Sequence, residues 1–228
     1  HHPLHLCLWL LAMLYEKGII TMPERKVSFL SNGLELEGCL SLPQTSRLIP
    51  GAVLCHPHPL YGGNMDNNVI LAVSRALAKR GIAAFRFNFR GVGMSRGAFD
   101  GGVGEVDDAQ AALSFLSEQS GVNPARLGIM GYSFGGMVAL SLGIHSNQVK
   151  AVAAVSPIIP EKLLAEVTKP VFIVYGTEDE VILPQTIIKE TSLLAPVNLQ
   201  AVDGVDHFWW GHEAKAAEML SGFFVKSL

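Results

Sequence analysis

Ser133 stands in Gly131-Tyr132-Ser133-Phe134-Gly135-Gly136, a pattern that lets a hydroxyl perform acyl transfer if the chain turns sharply enough there. The segment directly follows the strand-like run Leu127-Gly128-Ile129-Met130 and directly precedes a helical run over residues 137–144. So tight a strand-to-helix turn strains the serine backbone, and its flanks must be glycine because a Cβ would meet the neighbouring strand or helix. Oγ is then lifted clear at the carboxyl end of a sheet, and the helix N-terminus below it favours developing negative charge. A chain with 23 glycines produces G-x-S-x-G by chance, so the strand before it and the helix after it carry the reading.

Serine is a weak nucleophile unless a base takes its proton, and a histidine base needs a carboxylate to orient it. The apolar run 171–176 ends in Thr177-Glu178-Asp179, and the run 199–202 is followed by Asp203-Gly204-Val205-Asp206-His207. Both follow strands, so both fall at the edge of the sheet that carries Ser133. The expectation is Ser133 as nucleophile, Asp179 as orienter and His207 as base. Glu178 and Glu180 are alternatives to Asp179, which the Gly176-x-x-Asp179 spacing favours; Asp206 adjoins His207, but adjacent side chains diverge. His1, His2 and His5 lie in an N-terminal extension, and His145 and His212 accompany no motif.

An acyl-transfer site also needs two donors for the oxyanion, one from the residue after the nucleophile and one from a loop after another strand. The backbone N–H of Phe134 is the first. Cys55-His56-Pro57-His58-Pro59-Leu60-Tyr61-Gly62-Gly63 follows the run 52–55, and neither proline has an N–H to give. The second donor is therefore expected to be the N–H of His58, with Leu60 as fallback. Leu60, Tyr61, Tyr132, Phe208 and Trp209 are candidates to line a substrate pocket, although aromatic residues such as Phe208, Trp209 and Trp210 more often pack. His56 and His58 could ligate a metal, but no further ligand of sensible spacing accompanies them, and no cofactor is expected. Gly91-x-Gly93 lacks the third glycine of a dinucleotide fingerprint, so residues 90–95 read as a tight structural loop, with the next helix beginning after Glu105.

These residues need a frame. Residues 27–30 and 34–42, joined by Ser31-Asn32-Gly33, read as a hairpin. Short apolar runs over 52–55, 82–87, 127–130, 151–155, 171–175 and 199–202 read as strands buried on both faces. Helices are expected over 68–79, 106–118, 135–144, 184–194 and 212–224. Alternating strand and helix implies an α/β fold: a mostly parallel sheet with helices on both faces. The connection 156–169 has room for one small helix and not for a cap domain.

The bulk composition narrows the partners. A hydrophobic content of 49% over 228 residues suits one core better than two. A net charge of -3 without like-charge blocks gives no footprint for nucleic acid or for an anionic membrane, which leaves a small-molecule substrate. Cys7, Cys39 and Cys55 are scattered in apolar stretches and read as free thiols. Residues 4–15 are apolar but too short to span a bilayer and lack signal-peptide flanks, so the default compartment is the cytoplasm. The reading is an extension over 1–21, with a helix that covers its apolar face on the domain or in a homodimer, and one catalytic domain over 22–228.

With these motifs in order, the chain resembles the α/β-hydrolase superfamily, and within it the small uncapped dienelactone-hydrolase-like and esterase-like enzymes. The resemblance rests on His56-Pro57-His58-Pro59-Leu60-Tyr61-Gly62-Gly63, Arg90-Gly91-Val92-Gly93-Met94-Ser95, Gly131 to Gly136, Gly176-Thr177-Glu178-Asp179 and Asp206-His207-Phe208. It implies a largely parallel eight-stranded sheet, a Ser133–Asp179–His207 triad and no cofactor. Dienelactone hydrolases proper carry a cysteine where Ser133 stands, which favours ester hydrolysis over lactone specialisation. The implied activity is a serine carboxylesterase for small, short-chain acyl esters. A thioesterase, small-peptide hydrolase or acyltransferase would use the same triad, and a non-catalytic binding protein would use the same fold.

Overall fold

A computed structural model describes residues 9, 10, 13, 14, 23–191 and 196–228. Eight strands form one sheet: β1 (Glu24–Ser31), β2 (Leu34–Ser41), β3 (Ile49–Cys55), β4 (Ala83–Phe87), β5 (Val122–Tyr132), β6 (Val149–Val155), β7 (Val171–Gly176) and β8 (Val197–Val202). Their spatial order is β1-β2-β4-β3-β5-β6-β7-β8, with β2 antiparallel to both neighbours and every later pairing parallel. Among the described residues five α-helices have both ends defined, in chain order α1 (Asn68–Lys79), α2 (Val103–Ser117), α3 (Phe134–His145), α4 (Pro184–Thr191) and α5 (Glu213–Ser227). The α/β architecture expected from the alternating runs is the one observed.

Successive strand residues point to opposite faces, and the core divides accordingly. Leu127 and Ile129 of β5 pack with Ala109 and Leu113 of α2 and Val138 of α3. Met130 and Tyr132, one position out of phase, pack with Ile70 and Val73 of α1 and Leu220 and Phe224 of α5. β8 departs from the expectation of strands buried on both faces. It is an edge strand, paired on one side only, and its residues run between half-buried and exposed.

Local signals explain the helix starts. Asn67 caps α1 by accepting from the N–H groups of Val69 and Ile70 at 2.9 and 3.3 Å. α2 begins at Val103, three residues before the expected start at 106. Gly102, at φ +100°, turns the chain in, and buried Glu105 reaches back to accept from the N–H groups of Gly102 and Asp100 at 2.9 and 3.1 Å. Of the helix expected over 4–15, Trp9, Leu10, Met13 and Leu14 are described and are helical; the remainder lies outside the described residues, as do 192–194 of the helix expected over 184–194.

The loop after β4 is tied down by charge. Fully buried Asp108 on α2 receives the Arg90 backbone N–H at 2.9 Å, the Arg90 guanidinium at 2.8 Å and the Ser31 hydroxyl at 2.7 Å. Asp108→Ala is expected to destabilise the fold by about 3 kcal/mol, the lower end for breaking a buried pair, because Arg90 keeps Asp100 at 4.0 Å. The check is the urea midpoint; a change within about 0.5 kcal/mol, typical of an unimportant surface site, would contradict it.

Candidate active site

β5 ends at Tyr132 and α3 begins at Phe134, so Ser133 alone makes the turn, at φ +56° and ψ −115°. Its N–H donates to Val155 O at 2.9 Å, and its carbonyl accepts from Met137 and Ile158 at 3.2 and 3.3 Å. These bonds hold a conformation that a β-branched or bulky residue would resist. A Cβ at Gly131 would collide with the Gly135 carbonyl, and one at Gly135 with the carbonyls of Cys55 and His56. The elbow is thus pressed directly against the end of β3, where the His56–Gly63 loop begins.

Asp179 follows β7 in a turn closed by its N–H to Gly176 O at 3.3 Å. Its side chain is fully buried, and Oδ1 accepts from the N–H groups of Val181 and Ile182 at 2.9 and 2.8 Å. Oδ2 lies 2.8 Å from His207 Nδ1, and His207 Nε2 lies 3.0 Å from Ser133 Oγ. A carboxylate there can only accept, so Nδ1 carries the proton and Nε2 faces the hydroxyl with its lone pair. The arrangement can take a proton from Ser133 and hold the resulting imidazolium against a negative charge. Glu178, Glu180 and Asp206 are exposed, and Asp206 Oδ1 accepts from its own loop, at Phe208 N–H, 2.9 Å away.

The His56–Gly63 loop sits beside this group. The His58 ring packs against Phe134 and Phe99 at 4.9 and 5.0 Å between centroids, which joins the two residues expected to supply oxyanion donors. His58 Nδ1 accepts the N–H of Leu60 at 3.1 Å, so the fallback donor is already engaged. His56 takes a structural place at the start of this loop. It is fully buried, Nε2 accepts from Phe89 N–H at 3.1 Å and Nδ1 lies 2.7 Å from Pro57 O. Burial pushes its pKa down to about 4, which keeps it neutral and able to accept at Nε2. It bolts the loop after β3 to the loop after β4. Among the described residues no cluster of histidine, cysteine and acidic side chains fits a metal ion.

The pocket candidates divide. Leu60, Tyr61 and Phe208 are exposed around the site. Trp209 corrects the expectation: it is fully buried in the core under α1 and α5, at φ +60°, with its indole N–H donating to Ser156 Oγ at 3.0 Å. Large apolar area and a single polar handle make it an anchor for the loop, and none of its surface faces the solvent. Tyr132 is also buried, and its hydroxyl donates to the His207 backbone carbonyl. Two surface clefts of about 470 and 400 Å³ lie along the β1–β2 hairpin, and neither is bordered by Ser133, Asp179 or His207.

An eight-stranded, mostly parallel sheet between helices, and a serine on a strand-to-helix elbow with no cap domain over it among the described residues, define a hydrolase of the lidless α/β serine hydrolase type. The chain belongs to the dienelactone hydrolase family, whose profile matches residues 94–214, more than half of its length. It is 36% identical over 193 residues to an uncharacterised protein of Rickettsia prowazekii, covering 79% of this chain and 81% of that one. A thiohydrolase of Aspergillus aculeatus and an uncharacterised protein of Mycobacterium tuberculosis are matched over only 42% and 63% of their length. An α/β serine hydrolase homologue from Coxiella burnetii superposes with a TM-score of 0.77 at 29% identity, over 89% of this chain and 97% of that one. An α/β serine hydrolase without a lid from Xanthomonas campestris gives a TM-score of 0.79 at 26% identity, over 92% and 97%. Among the described residues no helix is long and apolar enough to cross a membrane.

Proposed function

We propose that the protein is a serine carboxylesterase for small, short-chain acyl esters, with Ser133 as nucleophile, His207 as base and Asp179 as the group that orients the base. The observation that carries this reading is the hydrogen-bond chain from Asp179 Oδ2 through both nitrogens of His207 to Ser133 Oγ, at 2.8 and 3.0 Å. His207 takes the proton as Ser133 attacks the ester carbonyl and returns it to the departing alcohol. A water activated by His207 then releases the acid from the acyl-enzyme. Phe134 and His58 N–H groups stabilise the oxyanion; neither prolines nor the engaged Leu60 N–H compete for that role.

A fluorophosphonate probe modifies only an activated serine, so it should form a single adduct at Ser133, and an unlabelled wild-type protein would overturn the reading. The open site also sets a size range. A long chain laid across it leaves much of its surface in water and gains little of the roughly 0.8 kcal/mol available per buried CH₂. In a p-nitrophenyl ester series from acetate to palmitate, kcat/KM is expected to peak for acyl groups of about two to six carbons, because only buried methylenes add to transition-state binding. A maximum at palmitate would refute the short-chain assignment.

A further inference from the structure

We propose that Tyr132 is a positioning residue for the base: its hydroxyl, by holding the backbone carbonyl of His207, ties the loop that carries the base to the strand that carries the nucleophile. This rests on the reading of His207 as the base for Ser133. Tyr132 is 3% exposed, its ring lies 5.6 Å from the imidazole at 34°, and its hydroxyl donates to His207 O. Burial raises its pKa further above the phenol range, so the group remains a donor wherever the enzyme works.

Other bonds hold the same loop, and they grip different residues. Glu178 N–H donates to Val205 O at 3.0 Å, Asn68 Nδ2 donates to Phe208 O at 3.1 Å, and the Trp209 indole donates to Ser156 at 3.0 Å. Tyr132 alone among these donors grips the peptide of His207 itself. It is also the residue covalently joined to Ser133, so the backbones of base and nucleophile are linked by one side chain. Without that hydroxyl, a buried carbonyl is left unpaired and the loop relaxes to find another partner. The Nε2–Oγ separation of 3.0 Å is the quantity at stake. Misplacement of a reacting group by about an ångström costs on the order of a hundred-fold in rate.

The experiment compares wild type with Tyr132→Phe, Asn68→Ala, Trp209→Phe and His207→Ala, measuring kcat and KM on p-nitrophenyl butyrate, the rate of fluorophosphonate labelling and the unfolding midpoint. Tyr132→Phe is expected to lower kcat about 10- to 100-fold and slow labelling in step, because both need the same proton transfer. KM should stay within about two-fold, since the hydroxyl does not face substrate. Asn68→Ala and Trp209→Phe loosen the loop away from the imidazole, so they should lower the midpoint at least as much while costing kcat only a few-fold. Tyr132→Phe within two-fold of wild type, or a kcat loss that follows the midpoint equally in all three variants, would overturn the proposal. If Tyr132→Phe does not fold, a Trp209→Phe kcat loss above ten-fold in a folded protein would overturn it, and a loss of a few-fold would support it. Failure of the underlying reading looks different: wild type would resist the probe, or His207→Ala would retain activity.

Discussion

Ser133→Ala is expected to lower kcat on a short p-nitrophenyl ester by about 10⁴- to 10⁶-fold while leaving a folded protein. The hydroxyl makes one hydrogen bond, to His207 Nε2 at 3.0 Å, so its removal costs the fold only about 1 kcal/mol. The backbone bonds of the elbow, from Ser133 N–H to Val155 O and from Met137 and Ile158 to Ser133 O, survive the substitution. Alanine and serine carry the same strain at φ +56°. What remains is the Phe134 and His58 donors and substrate binding, together worth roughly a thousand-fold over water. The check pairs initial rates with an unfolding curve. A folded variant whose kcat lies within ten-fold of wild type would remove Ser133 from the chemistry.

The buried parallel strands were readable because burial on both faces demands unbroken apolar runs, as in residues 151–155 and 171–175. α1 was readable to its last residue: Asn67 caps it, and apolar residues recur at helical spacing behind the cap. The elbow was readable because glycines are obligatory on both sides of a serine at positive φ. Other features depend on where side chains point, which periodicity does not report. The first half of β5, Val122 to Arg126, contains a proline and exposed Ala125 and Arg126, and within it only Val122 pairs with β3, opposite Ile49 and ahead of a register shift, so no apolar run announces it. Trp209 sits between exposed Phe208 and Trp210, and only its left-handed backbone turns it inward to Ser156. Tyr132 lies on the same face of β5 as Met130, so the strand's own alternation could have marked it as core. His56 could have been read as a bolt only with Phe89 in view, 33 residues away.

Asp179→Asn is expected to lower kcat by about 10⁴-fold, against less than a few-fold for Glu178→Gln and Asp206→Asn. Both oxygens of Asp179 are committed, Oδ1 to the N–H groups of Val181 and Ile182 and Oδ2 to His207 Nδ1. Asparagine has a single oxygen to offer. If that oxygen keeps the two backbone donors, the NH₂ faces His207 and forces Nδ1 to accept, which moves the imidazole proton to Nε2. The base then points a donor at Ser133 Oγ and cannot take its proton. If the amide flips instead, its NH₂ meets two backbone N–H groups inside a fully buried turn, which strips the loop of its bonds. Either orientation disables catalysis, the first with little loss of stability and the second with a marked one, so the unfolding midpoint distinguishes them. Glu178 is exposed on the same turn, and Asp206 bonds only its own loop at Phe208, so neither substitution disturbs the imidazole. Rates for the three variants on one ester decide the matter. Should Asp179→Asn keep kcat within ten-fold of wild type while Glu178→Gln loses it, the orienting carboxylate would be Glu178, and the 2.8 Å contact between Asp179 and His207 would have no catalytic part.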